Sequence, residues 1–243
     1  MEWTGKGIVL AVRPHGETSA IVELLTEDHG RHAGLVRGGR SRTMRPVLQP
    51  GNTVMATWRA RLADHLGNYA IEADKSRAGI VMDDPLALAG LNAASALASL
   101  ALPEREQHTR VYSGLEILLD QLEDPEIWPV LYVRWEAGLL KDLGYGLDFE
   151  KCAATGAVDD LTHISPRSGR AVSREAAEPY IDKLLPLPAY LRDPSAGYRL
   201  GEIAAGLAMT GFFLERRVLW PIDKELPEAR VRLIRALTDA GRI

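Results

Sequence analysis

Apolar and polar residues alternate with a period of two along the first third of the chain, and with a period near 3.6 after it. From Gly7 to Arg13, Ile8, Leu10 and Val12 fall on one face and Val9, Ala11 and Arg13 on the other, which predicts a strand. Pro14-His15-Gly16-Glu17 has turn chemistry, and Ser19 to Thr26 resumes the β-rich pattern, so the two runs predict a hairpin. A second turn at Glu27-Asp28-His29-Gly30 leads into a third strand, Arg31 to Arg37. Thr53 to Arg61 alternates again, with Val54, Ala56, Trp58 and Ala60 inward and Met55, Thr57, Arg59 and Arg61 outward. Leu66 to Ala73 is the fifth strand, with Tyr69 and Ile71 sharing a face.

Five short strands with closely spaced turns, in about 75 residues, predict a small closed barrel of the oligonucleotide-binding (OB) type. Between the third and fourth strands, Gly38-Gly39-Arg40-Ser41-Arg42-Thr43-Met44-Arg45 shows no apolar period, and its paired glycines predict a mobile basic loop. After Asp83-Asp84-Pro85 the period lengthens. Pro85 suits a first helical position and the aspartates suit a helix N-terminus. Helices are expected over Pro85–Ala101, Glu106–Leu122, Pro129–Leu143, Tyr198–Leu219 and Pro227–Ala240, with Gly144 stopping the third. Between Asp148 and Val172 the period is lost and Gly, Ser, Thr and Pro accumulate, as in an inserted loop-rich knuckle. The fold class read from the pattern is α+β: an N-terminal five-stranded barrel over residues 1–80, then an all-helical C-terminal domain over 81–243.

Charge divides along the same line. Residues 1–80 hold 11 Lys+Arg against 8 Asp+Glu and the remainder 18 against 25, a split of +3 and -7 within a formal net charge of -4. Gly30 to Ala63 contains Arg31, Arg37, Arg40, Arg42, Arg45, Arg59 and Arg61 and no Asp or Glu. Arginine outnumbers lysine 23 to 6 in the whole chain, so it is the absence of acids over these 34 residues that is informative. Such a window on a barrel predicts a polyanion as partner, and these seven arginines are the candidate nucleic-acid contacts.

Other chemistry finds little support. No lysine sits in a phosphate-binding Gly-Lys-Ser/Thr loop, Gly5-Lys6-Gly7 opens a strand and has Leu10 where a dinucleotide fingerprint needs its third glycine, and neither a Gly-x-Ser-x-Gly elbow nor a His-Glu-x-x-His pair occurs. Glu27, Asp28 and His29 are adjacent in a turn, as are His15 and Glu17 nearby, and so point apart. Cys152 is the only cysteine, which excludes an internal disulfide; paired with His163 it falls short of the four ligands zinc requires. No catalytic residue, cofactor or metal is expected. The apolar run Ile8–Val12 is too short for a signal peptide core, and the uncharged, alanine-rich Leu86–Leu102 reads as a buried helix instead of a membrane span, so the cytoplasm is the expected compartment.

In order and spacing, Gly7-Ile-Val-Leu10, Gly16-Glu-Thr-Ser19, Leu25-Thr-Glu-Asp-His-Gly30, Arg37-Gly-Gly-Arg-Ser41 and Leu48-Gln-Pro50 resemble the N-terminal domain of the RecO family of bacterial DNA repair proteins. Leu139-Leu140, Leu143-Gly-Tyr145, Asp148-Phe149 and Cys152 resemble its helical domain. The resemblance implies a non-enzymatic, nucleoid-associated recombination mediator with an OB fold and a helical domain. Such a protein binds single- and double-stranded DNA, anneals complementary strands, and helps load RecA onto strands coated by the single-strand-binding protein (SSB), with RecR and the acidic SSB C-terminal tail as partners. Several members carry a four-cysteine zinc knuckle beginning where Cys152 lies; here Ala153-Ala-Thr-Gly156 follows, so the knuckle around 148–172 is expected to be zinc-less.

Annealing requires that two polyanions meet while their Watson-Crick edges stay free. Trp58 and Tyr69 on inward faces, with Arg59 and Arg61 outward, fit a protein that holds phosphates and leaves bases unstacked; five phosphate contacts would give a salt slope near about -3.5 for single strands and -4.5 for duplex. For the SSB tail, Arg134 sits where RecO-like proteins carry a basic residue, with Trp135, Leu139 and Leu140 as expected apolar contacts; the competing expectation is that Arg134 pairs with Glu136 or faces solvent. Two other functions remain open at this level: a scaffold bridging RecR and SSB with weak DNA contact, and an RNA-binding OB protein, since phosphate contacts alone do not separate RNA from DNA.

Overall fold

The computed structural model describes residues 1–193 and 195–243. It is a mixed α+β structure with an N-terminal five-stranded sheet and helices after it. The strands are β1 (Glu2–His15), β2 (Ser19–Thr26), β3 (Gly30–Val36), β4 (Thr53–Arg59) and β5 (Asn68–Lys75). They hydrogen-bond in the order β1-β2-β3-β5-β4, and β4 pairs back onto β1 from Glu2↔Arg59 to Ile8↔Thr53, so the sheet closes on itself. Closure runs through a single parallel pairing, Leu35↔Asn68.

Alternation supplies the interior: Val9, Val22, Leu24, Val54, Ala56, Trp58 and Tyr69 form one buried cluster. Burying each of the larger side chains contributes about 1.5–3 kcal/mol. Gly34 on β3 faces the Tyr69 ring, and a Cβ at this position would lie 2.4 Å from it; the missing side chain is what lets the ring pack there. Trp58 Nε1 donates to the Leu66 carbonyl at 2.9 Å, which satisfies its one polar group.

Strict alternation fails on β1. Ile8, Val9 and Leu10 are all buried, and the pairing to β2 shifts register between Val9↔Leu24 and Ala11↔Glu23. A bulge and a covered outer face explain it: helix α2 (Pro85–Ala101) packs against β1 and β2, so both faces are excluded from water at these residues.

The short α1 (Arg77–Ile80) precedes α2 (Pro85–Ala101) and α3 (Thr109–Asp120). The Asp84 side chain accepts from the amides of Leu86 and Ala87, and Pro85 is the first helical residue, as the sequence predicts. Arg77 is buried and donates to Asp120 at 2.6 Å, to the Gly51 carbonyl and to the Thr53 hydroxyl, which ties the barrel to α3. The first compact unit therefore runs from Met1 to Trp128 and takes in Pro227–Leu233, well past residue 80.

The second unit comprises Pro129–Leu226 and Ile234–Ile243. It holds most of α4 (Trp128–Leu140), then β6 (Leu161–Ile164), β7 (Ala171–Ser173), α5 (Arg174–Ala177), β8 (Leu185–Pro186) and α6 (Leu200–Phe213); α7 (Glu228–Asp239) ends the chain. Gly144, with φ of 84°, stops the turn of wide helix that continues α4. An all-helical region was expected here, and that expectation is corrected: β6, β7 and β8 form a three-stranded sheet in the order β7-β6-β8. Strands of two to four residues are too short to show a period of two, which is why the segment reads as loop. No helix is long and apolar enough to cross a membrane among the described residues.

Candidate nucleic-acid interface

The segment from Arg37 to Asn52 joins β3 to β4. It is not the mobile loop its paired glycines suggest. Arg40 N–H bonds to the Thr18 carbonyl at 2.9 Å, Arg45 N–H to Ser41 at 3.1 Å and Leu48 N–H to Met44 at 2.9 Å, while the Ser41 hydroxyl accepts from the Met44 amide. Met44, Val47 and Leu48 pack on the barrel core. Their spacing is i, i+3, i+4, a single helical turn too short to register against the flanking strands. Gly38, with φ of 68°, makes the turn that starts the segment.

This framework presents Arg37, Arg40, Arg42 and Arg45, all exposed. Among the described residues none of the four has a carboxylate within ion-pair distance. Arg40 Nη1 bonds the carbonyls of Gly16 and Glu17 at 3.0 and 2.9 Å, which fastens the segment to the β1–β2 turn without forming an ion pair. Arg40 and Arg45 line one cleft of about 340 Å³ between the segment and the hairpin.

The other three arginines of the window lie elsewhere. Arg31 on β3 is mostly buried: Nη1 reaches Glu23 at 3.2 Å, and Nε donates to the Leu102 carbonyl at 2.7 Å, with Glu104 at 3.6 Å. Glu23 is itself buried at 4% exposure and also accepts from Arg13 and the Ser99 hydroxyl. Arg59 is exposed but paired with Glu2 at 2.8 Å, and its hydrogen bond holds the Glu2 carboxyl below the usual range. Arg61 is exposed just beyond the end of β4, at the end of the sheet where Asn68 pairs with both Arg59 and Leu35. The acid-free stretch of sequence is thus not acid-free in space, and four of its seven arginines are brought together.

The inward aromatics lie where alternation puts them, Trp58 at 2% and Tyr69 at 5% exposure. Trp3 is half-buried, stacks on His29 at 4.3 Å and lies near-parallel to Trp58 at 6.2 Å between ring centres. His32 is buried against Trp58 and Tyr69, and burial, then the Arg105 charge, lowers its pKa to about 4.

At the second expected site, Arg134 donates to the Tyr190 carbonyl at 2.9 Å and lies 5.9 Å from the centre of that ring. Trp135, Leu139 and Leu140 are buried, at 5%, 0% and 0% exposure. The expected apolar contacts are corrected accordingly: these side chains pack the interior and offer no open face. Glu136 is fully buried and accepts from the Thr210 hydroxyl. A more exposed apolar group, unmarked by any period, lies at Trp220 and Ile222, with the Arg216 guanidinium 5.2 Å from the Trp220 ring and 4.5 Å from that of Phe212.

In the knuckle, Cys152 N–H bonds to Ala157 at 2.7 Å, Gly156 N–H to Cys152 at 3.0 Å, and Ser173 donates to the sulfur through its amide and hydroxyl. Burial pushes this thiol up, but hydrogen bonds from Ser173 and Thr155 outweigh it and hold the pKa at about 6. Among the described residues no three His, Cys, Asp or Glu side chains are grouped to hold a metal ion.

Residues 1–73 match the family model described as Recombination protein O N terminal, and residues 82–225 the one described as Recombination protein O C terminal. The chain is 54% identical over its full length, and that of the relative, to a DNA repair protein RecO of Phenylobacterium zucineum. It is 52% identical, again over all of both chains, to one of Caulobacter vibrioides, and 52% identical to one of Ruegeria over 98% of each.

Proposed function

Because the chain belongs to the RecO family of DNA repair proteins, we propose that it holds single- and double-stranded DNA on the Arg37–Arg45 segment of an OB-type barrel, without catalytic turnover. The observation that carries this reading is the set of four exposed arginines on a hydrogen-bonded frame with no carboxylate within ion-pair distance among the described residues. A fixed array of guanidiniums grips phosphates at little ordering cost.

Annealing follows from what the site omits. Trp58 and Tyr69 are turned into the core and Trp3 is half-buried with His29 stacked on it, so strong base stacking does not compete with pairing between strands. Two strands held mainly by phosphate have their repulsion screened and their base edges free. With four arginines engaged, log K falls against log salt at about -2.8 for single strands and about -3.6 for duplex, shallower than the five contacts expected from the sequence would give. Titration over a range of salt tests this, and an affinity indifferent to salt rules it out.

Loading of RecA onto SSB-coated strands with RecR is the further step proposed for this protein. Arg134 is the cation proposed to meet the acidic SSB tail, with the buried Trp135, Leu139 and Leu140 fixing its helix in place of touching the peptide. Titrating a labelled tail peptide against Arg134→Glu decides it, since unchanged affinity removes Arg134 from the site. A scaffold role is favoured by one observation, the exposure of Trp220 and Ile222, because aromatic and arginine side chains dominate partner contacts.

A further inference from the structure

The cleft beside the basic segment is more than charged. Its floor is Val12, Ala20, Leu48 and Pro50, and Arg40 and Arg45 stand at its edge. Ala20 and Leu48 are buried and close the base of the cleft against the barrel wall, and the apolar surface open to a ligand is that of the half-buried Val12 and Pro50. Gln49, also lining the cleft, donates to the Arg45 carbonyl at 2.8 Å, which leaves its side-chain oxygen as an acceptor.

Resting on the proposal that this segment binds DNA, we propose that the cleft takes one unstacked nucleobase of a single strand, with the adjoining phosphate between Arg40 and Arg45. An apolar floor beneath two cations matches a nucleotide, which joins a flat, weakly polar ring to an anion. Arg37 and Arg42, exposed on the same segment, add charges of their own, so the complementary ligand is a polymer of anions instead of an isolated one. A base in a duplex reaches the floor only by leaving its stack and its partner, whereas a single strand offers one freely. The cleft therefore makes the protein prefer single strands, and one base is held out while its neighbours stay available for pairing.

The test uses the full chain and fluorescence anisotropy at one salt concentration, with three probes of equal length: a thymidine homopolymer, an abasic sugar-phosphate strand and a duplex. Wild type is expected to bind the homopolymer about tenfold more tightly than the abasic strand. Gln49→Trp, at an exposed position, fills the mouth of the cleft; homopolymer affinity falls to the abasic level while abasic and duplex binding hold. Equal wild-type affinity for homopolymer and abasic strands overturns the inference, as does a Gln49→Trp effect equal on all three probes. If an acidic apolar peptide competes with the homopolymer on wild type and fails to bind Gln49→Trp, the cleft is a protein site and the inference is again overturned. Joint reversal of Arg40, Arg42 and Arg45 to Glu separates the two readings: loss of all binding in that variant with no base effect in wild type leaves the DNA interface standing without the seated base, whereas unchanged binding removes the interface itself.

Discussion

Strand β3 and the segment that follows it carry the same residue type in opposite settings. Arg31 is held between Glu23, Glu104 and a carbonyl, mostly out of water; Arg45 stands at the edge of a cleft with no acid beside it. The first serves the fold, because a buried carboxylate at Glu23 requires a cation. The second contributes to the surface potential, because nothing cancels it. A row of arginines in sequence becomes an interface only where the fold leaves their charge uncompensated.

That contrast is open to breaking. Replacing Arg40, Arg42 and Arg45 together by Glu is expected to lower DNA affinity on the order of a hundredfold at moderate salt and to flatten the salt dependence, with thermal stability little changed. Salt-dependent anisotropy and calorimetry on the same samples check both halves. Arg31→Ala is expected to do the reverse: it takes one of two guanidiniums from the buried Glu23, leaving Arg13 and the Ser99 hydroxyl, and costs about 2 kcal/mol of stability, a fall in Tm of roughly 4–8 °C, while the folded fraction binds DNA nearly as wild type. Comparable loss of affinity in the two variants would erase the distinction.

A third expectation concerns His32, which shares the barrel interior with Trp58 and Tyr69. Its folded pKa of about 4 lies below the ordinary value of 6.5, so the unfolded chain binds the extra proton between them. The stability from neutral His32 is complete above pH 6.5 and drains away as pH falls towards 4. Denaturant midpoints measured across this window should fall with acidity, and less steeply in His32→Gln. The smallest effect is expected at the surface pair. Glu2→Ala releases Arg59, leaves thermal stability as in wild type and tightens DNA binding about twofold in the same anisotropy titrations.

Much of the molecule was legible from its residues. Alternation identifies Val54, Ala56 and Trp58 as inward, and Asp84-Pro85 marks the start of α2, because local periodicity and capping are local physics. The three strands of the knuckle were not, since β8 has two residues and β7 three, below the length at which a period shows. The helical turn of the basic segment was hidden in the same way behind its glycines. Trp135, Leu139 and Leu140 illustrate a different gap: apolar residues near a basic one fit a docking site or a core equally well, and burial decides between them.

The order of residues by itself determined the succession of strands and helices, the faces they bury and the kinship of the chain, because these depend on neighbours a few positions apart. Which arginines remain uncompensated was decided only in three dimensions. Glu2 meets Arg59 from 57 positions away, and Ser99 meets Glu23 from 76, once barrel closure and helix packing bring distant carboxylates and donors within reach. Charge acts over ångströms of space, and sequence distance is a poor measure of it.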